Sequence, residues 1–157
     1  MIVVSNTSPI NYLILIGQID LLPKLFRQIT IPQAVYSELF DKEAPNLVRT
    51  WIATPPDWLK IQLTSQDSDA IIDLLDPGER AAILLAQELN ADLLLLDDMK
   101  ARRVAKDRGL SITGILGILD QATTMKLIDL PTTVNSLQNT SFWASDSLFQ
   151  KLLEKQI

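Results

Sequence analysis

Short apolar runs alternate with longer segments in which apolar residues recur at helical spacing. Four runs, at residues 2–5, 28–31, 92–96 and 110–113, are bounded by polar or turn-forming residues. Each predicts a buried strand, because a strand covered on both faces has few polar positions. The run at 59–63 alternates apolar and polar residues and predicts an edge strand. The pattern therefore predicts an α/β fold with a central, mostly parallel sheet.

The intervening segments predict helices, and several carry start or stop signals. Asp76 and Pro77 begin the clearest helix, and Asn90 ends it. Gly17 and Gly109 follow the last residues of two others. The predicted helices cover residues 8–15, 20–26, 33–40, 46–53, 67–75, 77–89, 100–108, 114–125, 133–139 and 145–154.

Composition removes several classes of chemistry. The chain has 157 residues, no Cys and no His, so disulfides, thiolate metal sites and histidine catalysis are excluded. Acid–base or metal chemistry must then use Asp, Glu and neutral oxygen ligands, with Lys or Tyr as less favoured bases. The net charge of −5 argues against broad nucleic-acid binding. The chain shows neither a signal-peptide pattern nor an apolar run of ~18–20 residues, so we expect a cytoplasmic protein without a membrane anchor.

Polar residues follow three of the predicted strands. Asn6 and Thr7 follow the first, Asp97 and Asp98 the fourth, and Thr113 closes the fifth. Ligand sites in parallel sheets form at these carboxyl ends, and such oxygens suit Mg²⁺ or Mn²⁺. A cation would also relieve the repulsion between adjacent carboxylates. Helix capping is the alternative for Asn6 or Thr7 and for one of the two aspartates.

Two glutamates on predicted helices are further candidates. Glu38 borders the buried face of its helix, and Glu79 lies in the first turn of the helix that begins at Pro77. Alternatively, Glu79 only offsets the positive helix terminus and Glu38 is solvated.

A basic helix follows the two aspartates directly. Five of the fourteen Lys and Arg residues lie within residues 100–108, and Arg102 and Lys106 share one helical face. The functional interpretation is a phosphate grip beside a metal site, in which Arg102 or Arg103 steadies the substrate. The alternative is an ordinary solvated helix.

Five motifs together resemble the PIN-domain nucleases, and within them prokaryotic proteins related to VapC-type toxins. The motifs, in chain order, are VVSNTSPI, IPQAVYSEL, LDPGERAAILLA, ADLLLLDDMKARRVA and SITGILGIL. The resemblance implies a three-layer α/β/α sandwich over residues 1–128, with residues 129–157 as a helical extension packed on the same domain.

The resemblance also implies site residues. Asn6 occupies the position where the family motif usually has Asp, and Glu38 and Glu79 match two further acids. Asp98 matches the acid after the fourth strand, with Asp97 as the rival. The implied ligands of Mg²⁺ or Mn²⁺ are Asn6, Glu38, Glu79, Asp97 and Asp98, and the implied substrate contacts are Thr7, Arg102, Arg103 and Thr113.

The expected function is metal-dependent ribonuclease activity, in which the chain is the toxin of a toxin–antitoxin pair. An amide at position 6 supplies less charge than a carboxylate, so metal affinity and catalysis are expected to be weakened. The alternative is a PIN-like module that has lost activity and binds a partner protein, such as an antitoxin. An aspartyl-phosphate enzyme fits less well, because Asn6 stands where its nucleophilic Asp would be. The resemblance further implies a homodimer.

Overall fold

The central sheet has five strands, and every pairing in it is parallel. The computed structural model describes residues 1–64, 69 and 71–155. The strands are β1 (Val3–Ser5), β2 (Ile29–Pro32), β3 (Leu59–Gln62), β4 (Leu93–Leu95) and β5 (Ile112–Thr113), in the order β3-β2-β1-β4-β5. The predicted parallel sheet is confirmed, and the alternating segment is an edge strand as predicted. The prediction of a buried strand at 110–113 is wrong, because β5 is the other edge strand and is only half-buried.

Helices connect successive strands and continue after β5. They are α1 (Thr7–Leu15), α2 (Leu21–Phe26), α3 (Gln33–Phe40), α4 (Asn46–Ala53), α5 (Pro77–Glu88), α6 (Met99–Asp107), α7 (Ile115–Thr124), α8 (Leu130–Gln138) and α9 (Asp146–Lys155). Of the helix predicted at 67–75, residues 67, 68 and 70 lie outside the described residues. The prediction is wrong for the rest, which forms only a single 3-10 turn, Ile72–Leu74.

Glycines end two helices through a backbone conformation that other residues rarely adopt. Gly17 has φ +72° and Gly109 has φ +79°. A Cβ at this positive φ would be strained, so glycine allows the chain to leave the helix axis sharply. The two predicted stop signals act as expected.

The strands separate two hydrophobic clusters, because successive side chains point to opposite faces of a sheet. Val3 and Leu95 pack on one side, with residues of α1, α3 and α7. Val4 and Leu94 pack on the other side, mainly against α5 and α6. This arrangement gives the three layers of an α/β/α sandwich.

The last two helices contribute to the first of these clusters. Leu130, Val134 and Leu137 of α8 are buried there, as are Phe149 and Leu152 of α9. In the described part of the chain, no helix is both long and apolar enough to cross a membrane.

The order of the strands fixes where a site can form. β1 lies in the centre, with β2 on one side and β4 on the other. The connections therefore leave β1 and β4 in opposite directions, which opens a crevice at their carboxyl ends. The candidate residues at the ends of these two strands face this crevice.

Candidate metal and nucleic-acid site

Pairing between β1 and β4 brings two polar strand ends together. Ser5 is in register with Leu95, and the Asn6 N–H donates to the Leu95 carbonyl at 3.0 Å. Asp97 and Asp98 follow two residues later on the neighbouring strand. The polar residues that follow β1 and β4 thus lie at the same edge of the sheet, as predicted.

Asn6 has a buried oxygen that no donor satisfies. Its side chain is 4% exposed, and its Oδ1 has no hydrogen-bond partner. Although Asn6 precedes α1, its side chain makes no capping hydrogen bond. The capping alternative is therefore wrong for this side chain. An unpaired buried acceptor destabilises a fold by about 1–3 kcal/mol. The unpaired Asn6 oxygen therefore calls for an explanation, such as a bound ligand.

Glu38 is positioned by donors from two other elements. The Thr7 hydroxyl donates to its Oε1 at 2.9 Å, and the Gly78 backbone N–H also hydrogen-bonds the carboxylate. Burial raises the pKa of Glu38, although both hydrogen bonds act in the opposite direction. Thr7, predicted to contact substrate, contacts Glu38 in the structure.

Gly78 allows α5 to begin directly against this carboxylate. A Cβ at position 78 would lie 2.2 Å from Glu38 Oε2, so any side chain there would displace this carboxylate. Gly78 is not among the site residues that the sequence predicted. Its position beside the helix-starting Pro77 gave no signal of this contact, which arises from the packing of α3 on α5.

Glu79 has the most perturbed carboxyl group near these residues. Burial raises the pKa of Glu79 to about 7, and the Asp98, Asp76 and Glu38 carboxylates add to the effect. The Asp76 N–H donates to Glu79 Oε1 at 3.2 Å and partly offsets it. Glu79 therefore caps the start of α5, as the alternative interpretation predicted. Its carboxylate is also repelled by those of the other acids.

Asp97 and Asp98 have different environments despite being adjacent. Asp98 is exposed and caps α6, since its Oδ2 accepts the Ala101 N–H at 2.9 Å. Asp97 Oδ1 accepts the Ile115 N–H at 2.9 Å, whereas its Oδ2 is buried without a partner. Burial raises the pKa of Asp97 to about 6, despite hydrogen bonding by Ile115 and the nearby charge of Arg102. One aspartate is the predicted cap, and the other presents a free oxygen.

Of the predicted substrate contacts, Arg102 and Thr113 lie beside Asp97. The Arg102 Nη1 donates to the Leu96 carbonyl at 2.9 Å. Gly114 permits this proximity, because a Cβ there would lie 2.4 Å from Asp97 Oδ1 and 2.8 Å from Arg102 Nη1. Thr113 lines the same cavity, whereas Arg103 is exposed and does not line it.

The donor chemistry of these residues fits a hard divalent cation. Asn6 Oδ1 and Asp97 Oδ2 are buried oxygens without donors, and the carboxylates of Glu38, Glu79 and Asp98 act on one another as like charges. Within residues 1–64, 69 and 71–155, however, no three acidic side chains converge closely enough to hold a metal ion as they stand. The predicted ligands are thus gathered at one end of the sheet but not in a closed shell.

The site lies on a parallel α/β/α sandwich, with Asn6 after β1 and with Asp97 and Asp98 after β4. A family model described as PIN domain matches residues 2–156 of the chain. The chain therefore belongs to the PIN-domain family, as the motifs predicted, and members of this family generally depend on a divalent metal. No curated protein and no solved structure matches it.

Proposed function

We propose that this protein is a metal-dependent endoribonuclease that hydrolyses RNA phosphodiesters with Mg²⁺ or Mn²⁺. The observation that carries the proposal is the pair of buried, unpartnered oxygens, Asn6 Oδ1 and Asp97 Oδ2, at the ends of adjacent strands. Oxygens of this kind are satisfied by a cation as well as by a hydrogen-bond donor.

The proposed ligands are Asn6, Glu38, Glu79, Asp97 and Asp98. When bound, the cation would neutralise charge on the scissile phosphate and promote ionisation of the attacking water. Thr7 would orient Glu38 through its hydroxyl, which already donates to Oε1. Burial raises the pKa of Glu79 to about 7 in the metal-free protein, and a cation bound to this carboxylate would hold it ionised.

Helix α6 would hold the substrate backbone. Arg102 lies beside Asp97, and Lys106 lies one turn further along the same face. These cations would offset the repulsion between an acidic site and a polyanion in a chain with net charge −5.

The test combines metal binding and RNA cleavage in matched variants. Wild type should bind Mn²⁺ in calorimetry and cleave single-stranded RNA, and EDTA should abolish the cleavage. Glu38→Gln and Asp97→Asn should each lower metal affinity or cleavage by more than about tenfold. Glu43→Gln is the control, because Glu43 is exposed. Undiminished metal-dependent cleavage by folded Glu38→Gln and Asp97→Asn proteins would sink the proposal.

A second candidate is a PIN-like module that binds a partner protein and has little activity. Two observations favour it: position 6 is an amide, and no three acids converge within the described residues. A folded wild-type protein that binds no Mn²⁺ at millimolar concentration would support this function instead.

The biological setting that we propose is the toxin of a toxin–antitoxin pair, acting in the cytoplasm as a homodimer. It rests on the motifs shared with VapC-type toxins. Expression of the chain in bacteria should arrest growth, and Glu38→Gln should relieve the arrest. Light scattering of the purified protein tests the dimer separately.

A further inference from the structure

A cavity of about 380 Å³ lies next to Asp97, between α6, α7 and the C-terminal extension. Its lining includes Arg102 and Lys106 of α6, Leu116 of α7, Leu148 of α9, and Phe142, which precedes α9. Cavities that bind small organic groups begin near ~300 Å³. This one is therefore large enough to receive part of a substrate that extends beyond the metal site.

The lining combines two kinds of surface. Arg102 and Lys106 are separated by one helical turn, so both cationic groups approach the cavity from the same face of α6. The lining also includes the apolar side chains of Leu116, Phe142 and Leu148, and Leu148 is 50% exposed. A nucleotide has the matching division, because its phosphate is anionic and its base has two apolar faces.

Asp97 belongs both to the cavity lining and to the proposed ligand set. Its unpartnered Oδ2 is buried after the end of β4. A chain that places a phosphodiester at the metal site therefore has its neighbouring nucleotide within reach of the cavity.

We propose that this cavity binds one unpaired base of the RNA, adjacent to the scissile phosphate. This inference rests on the proposed ribonuclease function. Bases in a duplex are stacked and paired, and only an unstacked base can turn into a side pocket. The C-terminal extension, through Phe142 and Leu148, is then part of substrate recognition.

The experiment measures binding rather than cleavage, so that failure of the two proposals can be distinguished. Fluorescence anisotropy in Ca²⁺ would follow a labelled single-stranded RNA of about ten nucleotides, a duplex of the same length and an abasic ribose-phosphate strand. Wild type should bind the single-stranded RNA about tenfold or more tightly than either the duplex or the abasic strand.

Leu148→Asp places a charge beside the apolar side chains of the cavity and should weaken binding of the single-stranded RNA by about tenfold. Its effect on binding of the abasic strand should be much smaller. Leu47→Asp is the matched control. Leu47 is 57% exposed, lies in the first turn of α4 as Leu148 does in α9, and undergoes the same change of charge. It should change affinity by less than about twofold.

Equal affinity of wild type and Leu148→Asp for the single-stranded RNA would overturn the inference, as would equal losses in the two variants. Absence of RNA binding by wild type would also overturn it and would point to a protein partner at this cavity. If wild type binds the base selectively but does not cleave, the cavity proposal holds and the ribonuclease proposal fails. If wild type cleaves RNA and Leu148→Asp binds it normally, the ribonuclease proposal holds and the cavity proposal fails.

Discussion

At the end of β1, a single amide determines how much charge the site can offer a cation. Asn6 is 4% exposed, and its Oδ1 has no donor. A carboxylate at this position would add a full negative charge next to acids that already repel one another. The amide thus favours stability of the metal-free protein and reduces the attraction for metal.

We predict that Asn6→Asp raises Mn²⁺ affinity by about tenfold and lowers the thermal stability of the metal-free protein, with Mn²⁺ restoring it. Calorimetry and thermal melts with and without Mn²⁺ measure the two effects. Asn135→Asp on α8 is the control, since this residue is exposed and undergoes the same charge change. An unchanged Mn²⁺ affinity in Asn6→Asp would exclude Asn6 from the ligand set.

The two aspartates between β4 and α6 have different structural roles. Asp98 caps the helix, and Asp97 projects into the protein toward Ile115 at the start of α7. The sequence predicted one cap and one further role for the pair. It left open which residue had which role, because both lie at a strand end and either can precede a helix.

Substitution by asparagine separates capping by Asp98 from its electrostatic role, because Asn and Asp are comparable N-caps. Asp98→Asn should shift the melting temperature by no more than ~2 °C and weaken Mn²⁺ binding by about tenfold. Asp129→Asn is the matched control, since Asp129 caps α8 by accepting the Thr132 N–H. Equal Mn²⁺ affinity in the two variants would show that Asp98 is a cap only.

At the scale of the whole molecule, the C-terminal extension shares a core with the first helices. Phe149 is 5% exposed and belongs to the same cluster as residues of α1 and α7. Phe142 contacts Phe149 and Tyr12 in edge-to-face geometry, with ring centroids 6.4 Å and 5.3 Å apart. These contacts connect the extension to the layer that also carries Thr7.

We predict that the chain unfolds as one cooperative unit and that Phe149→Ala destabilises all of it by about 3–5 kcal/mol. Denaturant unfolding followed by circular dichroism measures the loss. Trp143→Ala, a control in the same extension at a residue that is 82% exposed, should cost less than about 1 kcal/mol. A separate early transition confined to residues 129–155 would contradict the single unit.

Stability should also depend on pH through the acidic site. Glu79 and Asp97 have pKa values raised to about 7 and about 6, so the folded protein binds their protons more tightly than the unfolded chain does. Their contribution is largest below the unfolded pKa values near 4 and is lost as pH rises through 6 and 7. The metal-free protein should therefore melt at a lower temperature at pH 8 than at pH 5.

Glu79→Gln should reduce this pH dependence by on the order of 1 kcal/mol, after allowance for the partial exposure of the carboxyl group. Glu43→Gln should leave it unchanged, and Mn²⁺ should flatten it in wild type. A wild-type melting temperature that rises from pH 5 to pH 8 would contradict the raised pKa values.

Local patterns in the sequence predict the parallel strands, most of the helices and the candidate residues. Apolar runs, stop glycines and the Asp76-Pro77 start are local signals, and they act through backbone propensity and burial that neighbouring residues specify. The segment at 59–63 predicts an edge strand because apolar and polar residues alternate along it.

The contacts among the candidate residues depend on packing between distant parts of the chain. Gly78 contacts Glu38 because α5 packs against α3, 40 residues apart in sequence. The free oxygens of Asn6 and Asp97 emerge from the pairing of β1 with β4, and the cavity beside them requires α9 to fold back over α7. These features depend on long-range packing, whose distances and burial no local pattern encodes.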